Sequence, residues 1–239
     1  MELPNKTNAF IKFIKPIIPE IVRIKLRKIH QKRVFKKAII DFRNNYVDIE
    51  KHPQIINDLI YGWGNMGWSS FQDYTYAIIN AAKKSNGPIL ECGSGLSTLL
   101  LGIIAEDKGF DICTLEHHAS WANHVKKNLC HLNINRVKVC LAPLKSYGNF
   151  QWYDITGLDT FQDFSLVICD GPPHDTQGGR YGLLPLMYLK LADKATILLD
   201  DYIREEEKSI VKEWQKEFQM EVTECGHNDM YAHIIYNKN

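Results

Sequence analysis

The sequence predicts a doubly wound α/β fold: a mostly parallel seven-stranded sheet with an antiparallel last strand, preceded by a basic helical N-terminal arm. Three observations lead there. From residue 88 onward, five apolar runs alternate with helix-length segments, the pattern of strands buried on both faces. Two alternating segments at hairpin spacing close the chain, and its first 38 residues hold a concentrated positive charge. The 239 residues suffice to bury one such core, and 45% apolar with 24% charged residues excludes disorder and a disulfide-stapled miniprotein.

Residues 1–38 carry eleven Lys/Arg against Glu2 and Glu20, a balance of +9, so with +1 overall the remainder sums to −8. Residues 10–40 interleave apolar with basic residues, and Pro16 and Pro19 break or start helices, so 20–40 reads as a basic amphipathic helix. Such a helix packs its apolar face on the body, or adsorbs to an anionic membrane or a polyanionic partner. The arm is taken as 1–50 and the body as 51–239. Residues 52–85 are rich in aromatics (Tyr61, Trp63, Trp68, Phe71, Tyr74, Tyr76), which serve the core or stack on a sugar or base, and end in a helical pattern over 77–84. The predicted parallel strands are 88–92, 111–116, 137–141, 166–170 and 195–200, with helices at 96–106, 119–132, 180–192 and 205–218. Residues 221–224 and 231–236 flank Gly226–Asn228 as the closing antiparallel pair.

Lysines interrupt the apolar N-terminal stretch, and no run of about 18 apolar residues exists. Neither a signal-peptide core nor a membrane-spanning helix is predicted. Of six cysteines none forms a C-x-x-C pair, and Cys92, Cys113, Cys140 and Cys169 fall inside strand-like runs. They read as reduced core thiols of a cytoplasmic protein, with residues 10–40 as its peripheral membrane contact.

The most informative local pattern is Ile89-Leu90-Glu91-Cys92-Gly93-Ser94-Gly95-Leu96-Ser97-Thr98. A strand ends in an acid and turns through two glycines into a helix, whose N-terminus offers free N–H groups to a ligand. Thr98 stands where a dinucleotide fingerprint wants a third small residue. The second strand ends in Glu116-His117, placing a carboxylate 21 residues after Gly95, where it can accept both hydroxyls of a ribose. These features resemble the class I S-adenosylmethionine-dependent methyltransferases, a Rossmann-like family. The resemblance implies S-adenosylmethionine as cofactor, with Glu91, Cys92, Gly93, Ser94, Gly95, Ser97 and Thr98 around its methionine part. Glu116 would take the ribose, His117 the neighbourhood of the adenine, and Asp170 would also touch the cofactor. The acid that the family usually carries after the third strand is absent here, where Leu141-Ala142-Pro143-Leu144 stands.

A second constellation lies after the fourth and fifth strands: Cys169-Asp170-Gly171-Pro172-Pro173-His174 and Asp200-Asp201. Three carboxylates converging at strand ends repel one another unless a cation lies between them, and Mg²⁺ suits all-oxygen ligation. The layout resembles metal-dependent O-methyltransferases, of the catechol type and of sugar-modifying pathways, with Asp170, Asp200 and Asp201 at the metal positions. Without metal, Asp170 touches cofactor or substrate and Asp201 caps the following helix. His174 is placed to take a proton from a substrate hydroxyl with Asp170 beside it, and Arg180 and Tyr181 to bind an anionic or polyhydroxyl acceptor.

The expected activity is therefore methyl transfer from S-adenosylmethionine to a hydroxyl of a sugar, glycan or small molecule, with Mg²⁺ assistance. A nucleic-acid methyltransferase gripping phosphate with the arm is an alternative. Base-methylating relatives carry D/N-P-P-Y/F after the fourth strand, where this chain has Asp170-Gly171-Pro172-Pro173. A non-catalytic Rossmann-like binding module is the alternative of another class.

Overall fold

Pro19 precedes the first helix among the described residues, α1 (Glu20–Asn45), with extended backbone dihedrals that set the chain's entry. The computed structural model describes residues 19–64, 72–158, 160 and 162–238; residues 10–18 of the arm, Trp68 and Phe71 lie outside them. Residues 20–30 of α1 are exposed on every side, whereas Ala38, Ile39 and Phe42 are buried. Successive helical residues turn by about 100°, so Arg23, Lys25, Arg27 and Lys28 spread over about 200° of the circumference with Ile21 and Ile24 among them, while Val22, Leu26 and Ile29 fall in the remaining sector. The exposed stretch is thus basic and apolar at once (Ile21 is 69% exposed, Leu26 54%), and its two kinds of residue are only partly sorted to opposite sides.

A 3₁₀ turn (Tyr46–Lys51) leads to α2 (Pro53–Trp63), which begins on proline, and α3 (Gln72–Lys84) precedes the sheet. The strands and helices then alternate: β1 (Ile89–Cys92), α4 (Leu96–Lys108), β2 (Ile112–Glu116), α5 (Ala119–His131) and β3 (Val137–Leu141). A small hairpin, β4 (Leu144–Ser146) and β5 (Gln151–Tyr153), is followed by β6 (Phe164–Cys169), α6 (Leu183–Met187), β7 (Leu191–Leu199), α7 (Glu205–Glu217), β8 (Met220–Cys225) and β9 (Tyr231–Tyr236). The main sheet has seven strands in the order β3-β2-β1-β6-β7-β9-β8. Only β9 runs against the rest, inserted between β7 and β8.

Alternation along each central strand feeds two cores. Leu166 and Ile168 point into the layer of α1 to α5 with Phe42, Ile49 and Leu99, while Val167 and Cys169 point into the layer of Trp152, Leu184 and Trp214. Residues 38–49, read as arm in the sequence, supply Ala38, Ile39, Phe42, Tyr46 and Ile49 to the first core.

Two elements differ from the sequence reading. The helix expected over 180–192 shrinks to α6 and a 3₁₀ turn at Tyr188–Lys190, because Pro185 is tolerated only in a first turn and Leu191 already pairs with Phe164 in β7. The β4–β5 hairpin was not expected, since its strands are three residues each and Lys145 and Ser146 are exposed, leaving no alternation to read.

The two halves of α1 should differ in their worth to the fold. Phe42→Ala should cost about 3–5 kcal/mol, whereas replacing Ile21, Ile24 and Leu26 together by Ser should change stability by less than about 0.5 kcal/mol. Equilibrium urea unfolding checks both, and equal losses would contradict the division of the helix.

Candidate functional site

Sheet register brings the site together. Cys92 pairs with Leu115 on one side and Cys169 on the other, and Cys169 pairs with Leu199. The residues just past that row are Gly93, Glu116, Asp170 and Asp200, so the glycine turn and three acids emerge on one edge, where the strand order reverses between β1 and β6.

The glycine turn is braced from below. Glu91 is 1% exposed and accepts hydrogen bonds from Ser97 Oγ (2.6 Å), Thr98 Oγ1 (2.8 Å) and Thr114 Oγ1 (2.8 Å). Thr98 Oγ1 in turn accepts from the Gly95 amide at 2.9 Å, which ties the turn to the carboxyl. Burial pushes the Glu91 carboxyl from 4.5 up to about 7, against the pull of the three hydroxyls. Gly93 has φ +89°, a left-handed conformation, and a Cβ there would press on the Asp170 carbonyl at 3.3 Å. At Gly95 a Cβ would meet no heavy atom within 4 Å.

At one end of the site Glu116 accepts from Ser94 Oγ (2.7 Å), the Ser94 amide (3.2 Å) and the His118 amide (2.8 Å), with His117 Nδ1 at 3.3 Å. Burial pushes its carboxyl up, but His117 and these donors outweigh it and hold the group below the usual carboxylate range. Trp121 Nε1 donates to the Ser94 carbonyl at 2.7 Å, and its ring meets Trp63 edge-on with centroids 6.0 Å apart.

At the other end, Asp170, Asp200 and Asp201 each bring a carboxylate oxygen within 4.8 Å of the others. Asp200 is 5% exposed, and burial together with Asp170 pushes its carboxyl well up. Asp201 has φ +58°, a conformation that Asp tolerates better than most residues. The guanidinium of Arg180, 3% exposed, donates from Nη2 to Asp201 (2.8 Å) and Asp170 (3.3 Å), and from Nη1 to the Asp200 carbonyl (2.5 Å). Arg204 adds a second contact to Asp201 at 2.9 Å. The cation that the convergence of carboxylates demands is therefore a side chain of this protein. Mg²⁺ bridging Asp170 and Asp201 would have to take the position of Nη2, so the arrangement does not fit the metal assignment of Asp170, Asp200 and Asp201.

Between the two ends lies a cavity of about 630 Å³, within the range of small-molecule sites. Gly93, Ser94, Gly95, Ser97, Glu116, His117, Asp170, Asp200, Asp201, Arg180 and His174 all line it. Glu91, Cys92 and Thr98 do not: they lie beneath the turn, since the burial that makes them good braces removes them from a ligand. Tyr181 points elsewhere, with its hydroxyl on Glu217 (2.8 Å) and its ring against Phe150, so it is not positioned to bind an acceptor. Arg180 reaches the cavity wall, but Nη2 is engaged by the Asp170 and Asp201 carboxylates and Nη1 by the Asp200 backbone carbonyl. Asp201 makes no cap to α7, whose N-cap is Arg204. His174 is exposed at the rim. Sequence reasoning missed Trp121, His118 and Tyr153 as lining residues. Tyr153 is fully buried, with its hydroxyl unpartnered. Trp121, five residues past Glu116 at the start of a helix, was the one legible of the three.

No protein-family model and no curated protein sequence matches this chain. Solved structures do. The chain is similar to the SAH-bound Podospora anserina methyltransferase PaMTH1, with 16% identity, 99% of this chain and 98% of that one covered, and a TM-score of 0.53. It is also similar to a METTL16 MTase domain (17% identity, 79% and 82% covered, TM-score 0.53) and to a putative rRNA methylase from Clostridium thermocellum (14%, 71% and 98%, TM-score 0.52). The fold is that of the class I methyltransferases. Within that methyltransferase fold, the braced glycine turn and Glu116 occupy the first and second strand ends, and the Arg180 cluster the fourth and fifth.

The brace carries a pH signature. A carboxyl raised in the folded state stabilises the fold below its unfolded value, and that contribution is lost as pH rises from 4.5 to about 7. Glu91→Gln, which cannot titrate, should remove this slope, so that the stability difference between variant and wild type changes by up to roughly 3 kcal/mol between pH 5 and pH 8. Urea unfolding at both pH values reads it, and parallel profiles would show that Glu91 is ionised throughout.

Proposed function

We propose that this chain is an S-adenosylmethionine-dependent methyltransferase acting on a hydroxyl oxygen of a sugar, glycan or small molecule. The observation that carries the reading is the cavity spanned by the glycine turn and Glu116 on one side and the acidic cluster on the other. Its residues fit the cofactor. Gly95 leaves room against the turn, Glu116 presents a carboxylate to a diol, and Trp63 and Trp121 offer aromatic surface. The acids at the far end favour the positive methionine part.

When bound, S-adenosylmethionine supplies a sulfonium methyl whose S–C bond breaks as the acceptor O–C bond forms, leaving the neutral thioether. The chain's own residues do the rest. The turn and Glu116 orient one reactant, the walls exclude water, and His174 at the rim takes the hydroxyl proton, with Asp170 holding the acceptor. Arg180 supplies the positive charge for which Mg²⁺ was expected, so no step runs through a metal.

Isothermal titration with S-adenosylmethionine and S-adenosylhomocysteine tests the cofactor. Wild type should bind at micromolar concentration. Gly95→Ala should bind at least about tenfold more weakly with an unchanged unfolding midpoint, because the added Cβ meets no protein atom within 4 Å and faces the cavity. Absence of binding to wild type would overturn the proposal.

The exposed half of α1 fits an anionic lipid surface, where its exposed apolar and basic residues both find partners: acyl chains for one, phosphates for the other. We place the protein at such a surface. Sedimentation with phosphatidylglycerol vesicles should exceed that with phosphatidylcholine. Changing Arg23, Lys25, Arg27 and Lys28 to Gln should weaken it by about tenfold or more. Equal binding by the variant would refute this, as would stronger capture by heparin than by vesicles.

A further inference from the structure

The cluster of Asp170, Asp200, Asp201 and Arg180 supports an inference that does not depend on the acceptor or on methyl transfer. We propose that Arg180 is a resident cation that takes the place of a divalent metal, and that it is the positioning residue for Asp170 and Asp201 at the cavity wall.

Four features support this. Three carboxylate oxygens within 4.8 Å of one another form the arrangement that a metal ion would use. Nη2 of Arg180 bridges two of them at 2.8 and 3.3 Å, as a bridging ion would. The planar fork also reaches the Asp200 carbonyl, which fixes the orientation of the guanidinium and not only its charge. Arg180 is 3% exposed, and arginine keeps its proton at any working pH, so neither exchange with solvent nor titration removes this cation. Glu207, 2% exposed, lies 3.8 Å from Nη1 and closes the network on the side of α7. The charge a metal would bring is already present, and a second cation against the guanidinium would be repelled.

The consequence is a reciprocal relation between the arginine and metal affinity. Mn²⁺ binding to the full chain, followed by electron paramagnetic resonance, reads it without reference to activity. Wild type should show no site tighter than about millimolar, the affinity of weak carboxylate clusters. The double variant Arg180→Met, Glu207→Gln removes the cation together with the carboxylate on its Nη1 side, so that the three aspartates are the acids left to take up Mn²⁺. It should gain a Mn²⁺ site at least about tenfold tighter. Adding Asp201→Asn should abolish that site. Arg180→Lys restores the charge without the fork and should again exclude Mn²⁺, which separates charge from packing. A wild-type Mn²⁺ site of micromolar affinity that is lost in Asp201→Asn would overturn the proposal, and this needs no variant at Arg180 to fold. A double variant that folds and binds Mn²⁺ no better than wild type would also overturn it.

Discussion

Beneath the turn between β1 and α4 a carboxyl group is closed off from water, and three hydroxyls are spent on it. Glu91 draws Ser97, Thr98 and Thr114 together, and through Thr98 it holds the Gly95 amide. A buried carboxyl is costly unless its acceptors are satisfied, so this turn has little freedom to take another shape. Its influence reaches across the sheet. Ser94, fixed between the two glycines, offers its amide and hydroxyl to Glu116 and its carbonyl to Trp121. The geometry of Glu116 at the end of β2 is thus set by a carboxyl on β1 that lies beneath the turn, away from the cavity.

The opposite wall is governed by the same rule, met by a different means. Asp170 and Asp200 end adjacent strands, and Asp201 comes next in a left-handed conformation that turns it back toward them. Where hydroxyl donors serve Glu91, here a guanidinium bridges the side chains of Asp170 and Asp201 and holds the Asp200 carbonyl. One carboxyl is therefore clasped by neutral donors, while in the other group a fixed cation opposes the upward push that burial gives Asp170 and Asp200. The cavity between them is polar at both ends.

The fold was legible because burial on both faces leaves apolar runs such as Leu166–Cys169 that nothing but a covered strand explains. The Gly93–Gly95 turn and the spacing to Glu116 were legible for a similar reason, since local backbone geometry demands particular residue types. The roles within the site were less so. Glu91 and Thr98 looked like ligand contacts, because sequence does not reveal which side of a turn a side chain takes. Arg180 and Tyr181 are neighbours in sequence, yet one enters the acidic cluster and the other packs on α7, because a single step of the loop reverses direction. The convergence of Asp170, Asp200 and Asp201 was readable, but the identity of their counter-ion was a tertiary fact, carried by a loop residue with no periodic signal. Tyr153 was hidden in a strand too short to announce itself.

The row Leu115–Cys92–Cys169–Leu199 explains why one edge of the sheet carries so much chemistry. All four residues are fully buried, and the next residue of each strand leaves the core at the same height. A slip of one residue in β6 would turn Val167 and Cys169 toward the wrong core and move Asp170 off the edge together, so the packing that fixes the sheet also fixes the site. Function-bearing residues therefore need no separate device to hold them in register. They do need charge compensation, and the two braces, Glu91 with its hydroxyls and Arg180 with its acids, supply it on the two sides of the point where strand order reverses. The cavity between them also keeps groups that these braces do not use: the open face of Gly95, the Tyr153 hydroxyl, the aromatic mouth and the exposed imidazole of His174.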